Sequence, residues 1–148
     1  MKIERIRLKN FRALRDVELK NIPPLAVFVG KNGSGKSTLF QTFGFLKDAL
    51  KNNVSIALQR MGGYKEVATR GHADEPIEIE IQFRMMISDV NRLVTYHLEI
   101  IMDNGIPVVQ REILRRFKDR IPGMSKVTAT ETEDGHILLR FKDGSFAV

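Results

Sequence analysis

Gly30-Lys31-Asn32-Gly33-Ser34-Gly35-Lys36-Ser37-Thr38 is the stretch on which the fold turns. It fits G-x-x-x-x-G-K-[ST], the pattern of a phosphate-binding loop (P-loop). Its flanks supply the context that pattern requires. Leu25-Ala26-Val27-Phe28-Val29 is a short apolar run that predicts a buried parallel strand. Leu39, Phe43, Leu46 and Leu50 follow at helical spacing and predict a helix over about Lys36 to Lys51.

The spacing has a physical reason. Glycine has no Cβ, so backbone at Gly30, Gly33 and Gly35 can wrap closely around an anion. Successive N–H groups of such a loop, Ser34 included, point inward as a cradle for phosphate oxygens. The helix that starts there adds its positive N-terminal end. In this pattern Lys36 reaches the β- and γ-phosphates, which makes it the candidate catalytic group. The Ser37 hydroxyl is the candidate Mg²⁺ ligand, and Thr38 is placed for a contact near the α-phosphate. The bland alternative is a glycine-rich turn with no ligand. Strand, full motif and helix in register weigh against it.

Outward from the loop, the chain alternates. Ile6 and Leu8, then Val17 and Leu19, alternate with charged residues and predict two antiparallel strands joined through Asn10-Phe11-Arg12-Ala13. Pro23-Pro24 closes the second strand. Gly44, inside the long helix, predicts close packing against a sheet. Val54, Leu58 and Met61 predict further helical turns ended by Gly62-Gly63, and Tyr64 to Glu75 reads as a loop. Ile77 to Phe83 and Val94 to Met102 are half-buried strand patterns. Asn104-Gly105 is a strong hairpin turn into a strand from about Ile106 to Arg116. Pro122-Gly123 is a break. Val127 to Thr132 and His136 to Phe141 flank a turn at Glu133-Asp134-Gly135, and Lys142-Asp143-Gly144 forms another.

The 148 residues suffice for one domain with a real core. Hydrophobic content of 43% and charged content of 28% are ordinary for a globular protein. No apolar run is long enough to span a bilayer, so no membrane partner is expected. The absence of cysteine excludes disulfides and thiolate chemistry, and together with the lack of a signal-peptide pattern it points to the cytoplasm. The net charge of +6 includes one basic group at Arg5, Arg7, Lys9, Arg12 and Arg15 and another at Arg111, Arg115, Arg116, Lys118 and Arg120. Such groups can meet nucleic-acid phosphates. Without an accompanying nucleic-acid motif, a solvated face balanced by partners elsewhere in a larger protein is the better reading. His72, His97 and His136 show no metal-ligand spacing, and Glu78 and Glu80 read as solvent-facing.

The first half resembles the nucleotide-binding lobe of RecF/SMC-like ABC-type ATPases, close to the AAA-family and OLD-like predicted ATPases. The residues that carry the likeness are Ile6-Arg7-Leu8-Lys9-Asn10-Phe11-Arg12, Phe28 through Thr38, and Phe45-Leu46. The specific match runs over about the first fifty residues. The resemblance implies an α/β fold: a P-loop strand and helix with flanking strands over 1–62, and a mainly antiparallel β-subdomain over 76–148. It implies that Arg12 lies near the nucleotide phosphates and that Asn32 lies near the γ-phosphate or the attacking water. It also implies ATP and Mg²⁺ as cofactors, a homodimer in the complete protein, and DNA or a fused or partner nuclease as associates. Phe11 reads as core rather than as an adenine platform.

What the family pattern would add is not found. A Leu-Ser-x-Gly signature is missing from the chain. Leu98 to Asp103 superficially resembles the strand that ends in a magnesium-binding aspartate, but Asn104-Gly105 follows it and reads as a hairpin. Gln59, Gln82 and Gln110 are unconvincing as a water-contacting glutamine. The expectation is therefore the N-terminal, incomplete part of one ABC-type ATPase domain spanning 1–148. The alternatives are a nucleotide-binding module without catalysis and a structural domain that binds the DNA backbone. A P-loop kinase fits the antiparallel hairpins poorly, and no Asn-Lys-x-Asp stretch points to GTP.

Overall fold

The computed structural model describes residues 1–87 and 89–115 in full, and the backbone alone of 116 and of three short strands beyond it at 128–131, 137–140 and 146–147. The elements are β1 (Lys2–Phe11), β2 (Leu14–Lys20), α1 (Lys36–Lys51), α2 (Val54–Arg60), α3 (Tyr64–Val67), β3 (Ile77–Ile87), β4 (Val90–Asp103), β5 (Ile106–Arg116), β6 (Thr128–Glu131), β7 (Ile137–Arg140) and β8 (Phe146–Ala147).

Strands β1 to β5 form one sheet in the order β2-β1-β3-β4-β5, with every neighbouring pair antiparallel. Period-two alternation decides what each face carries. Ile6 pairs with Ile81 and Leu8 with Ile79, and Ile79 pairs in turn with Leu98. These side chains point to one face and are buried. The helices cover that face. Phe45 and Leu46 of α1, Leu58 of α2 and Val67 of α3 share the core with the strand residues. Phe11 and Phe45 meet edge-on, with ring centroids 5.8 Å apart. Phe11 is thus a core residue, as its sequence setting predicts.

The other face is charged. Glu18 and Glu80 flank Arg5, Glu78 faces Lys9, Asp16 lies 3.8 Å from Arg7, and Arg84 reaches Glu4 at 2.9 Å. The register sets Lys9 directly across from Glu78 and brings Glu18 and Glu80 within diagonal reach of Arg5, arrangements that favour strand pairing. Glu78 and Glu80 therefore serve as ion-pair partners.

The predicted turns hold where they can be seen. Asp103 pairs with Ile106, leaving Asn104 (φ 48°) and Gly105 (φ 81°) as the two-residue loop, the backbone a type I′ hairpin demands. Helix α1 has the predicted limits, and the Asn53 side chain accepts the Ile56 N–H at 2.8 Å to start α2. Backbone β6 and β7 pair antiparallel, in agreement with the two runs read there, and β7 also pairs with β8. The turns at Pro122-Gly123, Glu133-Asp134-Gly135 and Lys142-Asp143-Gly144 lie outside the described residues, as do Lys118 and Arg120.

Three expectations are corrected. Leu25 to Val29 is not a strand: it carries no ladder, and Leu25, Val27 and Val29 are 83%, 79% and 90% exposed. Pro23-Pro24 separates it from β2, and among the described residues no strand runs beside it to take its hydrogen bonds. Gly44 faces open space; a Cβ built there would meet nothing within 4 Å, so it marks no close approach. Tyr64 to Val67, read as loop, forms the short helix α3. Gly63 at φ 95° turns the chain into it, and the Ala68 N–H closes it on the Tyr64 carbonyl at 2.8 Å.

Candidate nucleotide site

Gly35 is the residue before α1 and adopts φ 88°, ψ 1°, a left-handed conformation that glycine reaches without strain. Gly33 is left-handed too, at φ 83°. No side chain caps α1 and its first turn holds no acid, so the helix presents free N–H groups to whatever lies in the loop. Gly35 is also tightly placed: a Cβ there would come 2.5 Å from Leu14 Cδ2.

Lys36 turns back into the loop. Its Nζ donates to the carbonyls of Gly30 (2.6 Å) and Lys31 (2.7 Å) and to Ser34 Oγ (3.1 Å). A Cβ at Gly30 would fall 2.9 Å from Ser34 Oγ and 3.8 Å from Nζ, so a side chain would fill the space the lysine spans. Asn32, Ser34 and Ser37 are exposed. Thr38 is buried, and its carbonyl accepts the Thr42 hydroxyl at 3.1 Å.

The turn between β1 and β2 packs beside this loop. Asn10 and Arg12 are both left-handed, at φ 54° and 50°. Asn10 is fully buried, and every bond it makes goes to the segment after α3. Its Nδ2 donates to the carbonyls of His72 (2.8 Å) and Glu75 (2.7 Å), and its Oδ1 accepts the Thr69 N–H at 3.0 Å. The Arg12 N–H donates to the Val67 carbonyl at 2.7 Å, and its guanidinium donates to Gln41 Oε1 at 2.7 Å. Arg12 is thereby brought against α1. Arg15 takes Glu75, which also faces His72 at 2.7 Å. Hydrogen bonding from His72 first, and then from Arg15, holds the Glu75 carboxyl below its usual range.

Four of the five residues in the first basic group face carboxylates: Arg5, Arg7, Lys9 and Arg15. The charge of these four is therefore offset within the chain itself, not by partners elsewhere as the sequence reading expected. Asp103 lies at the tip of the β4–β5 hairpin, where Asn104 Nδ2 donates to its Oδ1 at 3.1 Å. It is a turn residue. Gln82 sits on the charged face across from Arg5 and Thr95. His72 and His97 pair with glutamates, while His136 lies outside the described residues. Among the described residues no three acidic or histidine side chains gather as a metal cluster, and no helix is long and apolar enough to cross a membrane. The roles of Asn10, Leu14 and Gln41 escaped sequence reading. Only Gln41 left a signal, its position one helical turn after Ser37.

Comparisons with known proteins bear on the chain as a whole rather than on this loop alone. The chain belongs to the AAA ATPase domain family, whose model matches residues 1–143, and within it to the RecF/SMC-like ATPases. It is similar to the DNA replication and repair protein RecF of Lactococcus lactis subsp. cremoris strain MG1363, 30% identical over 99 residues, covering 63% of this chain and 28% of that protein. It is also similar to RecF of Clavibacter michiganensis subsp. michiganensis, 30% identical over 121 residues, covering 79% of this chain and 28% of the relative. RecF of Heliobacterium modesticaldum is 25% identical over 175 residues, covering 98% and 46%. The chain thus spans less than half the length of these relatives.

Proposed function

We propose that this chain binds ATP with Mg²⁺ through the loop Gly30 to Thr38, as the N-terminal nucleotide-binding part of an ATPase. The observation that carries this reading is Lys36: its ammonium lies inside the loop, held by two carbonyls and Ser34 Oγ. That is a cation poised where phosphate oxygens would enter, beside the uncapped amides of α1. The residues fit the ligand. Gly30 keeps the cradle free of a side chain, Asn32, Ser34 and Ser37 are accessible, and Ser37 supplies an oxygen of the kind magnesium prefers.

In this reading Lys36 and the amides of Gly33, Ser34 and Gly35 offset charge on the β- and γ-oxygens, and Lys36 counts as catalytic for that reason. Thr38 contributes a backbone contact, Asn32 lies toward the γ-phosphate, and Arg12 adds a second cation from the neighbouring turn. The magnesium ion supplies charge neutralisation of the phosphates when bound.

Hydrolysis belongs to the complete protein, in which two copies associate when ATP binds and part after turnover. Turnover by this chain alone is expected to be slight. The relatives' name, DNA replication and repair protein, supports DNA as the eventual partner, while a cytoplasmic location rests on the sequence reading alone. A partner or fused nuclease rests on the family resemblance alone.

The test is binding of a fluorescent ATP analogue with magnesium by the parent chain and by Lys36→Ala. Loss of one charge-assisted phosphate contact should weaken binding roughly tenfold or more. Unchanged binding would remove the assignment. A second reading, a nucleotide-binding module without catalysis, gains support from Asp103 being a turn residue. A longer form of the protein that hydrolyses ATP at Lys36-dependent rates would set it aside.

A further inference from the structure

We propose that Gln41 is a positioning residue that holds the Arg12 guanidinium at the first turns of α1 with its charge uncancelled, ready for the polyphosphate of a nucleoside triphosphate. The inference rests on the reading of the loop as a nucleotide site. Three features of the geometry carry it.

The backbone of Arg12 is fixed. It sits at φ 50° and its N–H is bound to Val67, next to the fully buried Asn10 and Phe11. Leu14, two residues on, rests against Gly35. The freedom left to Arg12 is in its side chain, and among the described residues that side chain's one hydrogen-bond partner is Gln41 Oε1 at 2.7 Å.

Gln41 stands four residues after Ser37, so the two lie on the same face of α1, about 6 Å apart along its axis. The guanidinium is therefore held about one helical turn from the hydroxyl that would meet the magnesium ion.

The acceptor is neutral. Arg5, Arg7, Lys9 and Arg15 face carboxylates, which cancel their charge. A carboxamide oxygen fixes direction without cancelling charge, and a neutral acceptor is readily exchanged for a phosphate oxygen, which makes the stronger charge-assisted bond. A glutamate at position 41 would hold the same geometry and compete with the phosphate.

The chain itself, titrated with the fluorescent ATP analogue and magnesium, tests this through Gln41→Glu, Gln41→Ala, Arg12→Ala and the double variant Gln41→Glu/Arg12→Ala. Gln41→Glu should weaken binding roughly tenfold, matching Arg12→Ala, because it traps the cation. Gln41→Ala should cost only about threefold, since the guanidinium loses its order but keeps its charge. In the Arg12→Ala background the glutamate should add nothing beyond about twofold. Glutamate and alanine proving equally harmful would make Gln41 merely structural and overturn the proposal, as would a glutamate effect that persists without Arg12 or no effect at all. Loss of binding in Lys36→Ala beside any of those results would show that the loop reading stands while the Gln41 proposal falls.

Discussion

Leu14 packs so closely on Gly35 that a methyl group at position 35 would stand 2.5 Å from Leu14 Cδ2. The turn after β1 and the mouth of α1 are therefore joined by contact, and glycine is required there twice over. The second reason is the backbone, at φ 88°. Gly35→Ala should lower stability by about 2 kcal/mol or more, combining the left-handed penalty with overpacking. Adding Leu14→Ala should recover only the overpacking part, leaving the two changes non-additive. Urea midpoints of the two single variants and the double variant measure this. Full additivity would mean that Leu14 and Gly35 do not touch.

Asn10 links β1 to the segment after α3 by three hydrogen bonds from a fully buried side chain. Alanine would leave the Thr69 N–H and the His72 carbonyl without these partners, and would strain a left-handed backbone that asparagine tolerates better. The expected loss is about 3 kcal/mol. Because the Arg12 N–H is tied to the same segment through Val67, nucleotide affinity should fall along with the melting temperature. A loss below about 1 kcal/mol would mean that water or backbone adjustment replaces the side chain.

How much of this was legible beforehand depends on whether a residue's role is local. The α1 limits, the Asn104-Gly105 hairpin and the alternation of Ile77, Ile79 and Ile81 come from local periodicity and turn chemistry, which the chain displays directly. The glycine loop was legible for the same reason, because its backbone needs are encoded residue by residue. Leu25 to Val29 misled because an apolar run says what a strand needs, not whether a neighbour is there to pair with it. Asn10 and Gln41 could not be read for their roles. Their partners lie 59 to 65 and 29 positions away, and no period links such separations.

Glu75 ties acidity to stability. Its carboxyl is held below the ordinary value of 4.5, first by His72 and then by Arg15. A lowered value means that the folded chain binds this proton less readily than the unfolded chain. The contribution is thus present above the ordinary carboxylate range and disappears as pH falls through the lowered value. Glu75→Gln should flatten the acid limb of a plot of urea midpoint against pH, while its backbone carbonyl still serves Asn10 and Tyr64. An acid limb identical to the parent's would mean that other carboxylates, such as Glu18 beside Lys20 and Arg5, account for it.

Asp103 offers the sharpest separation of sequence likeness from structure. It ends an apolar strand, as a magnesium-binding aspartate would, yet it pairs with Ile106 across a two-residue turn and accepts a hydrogen bond from Asn104 Nδ2. Its surroundings are a solvent-facing hairpin tip, so Asp103→Ala should shift stability by no more than about 0.5 kcal/mol. It should leave both ATP-analogue affinity and its magnesium dependence unchanged. Gly105→Ala, by contrast, puts a Cβ on a residue at φ 81° and should lose about 1 to 2 kcal/mol without touching nucleotide affinity. Isothermal titration with ATP, run with and without magnesium on both variants, gives the answer. A magnesium-dependent loss of affinity in Asp103→Ala would mean that the hairpin tip reaches the nucleotide and that the turn serves a second purpose.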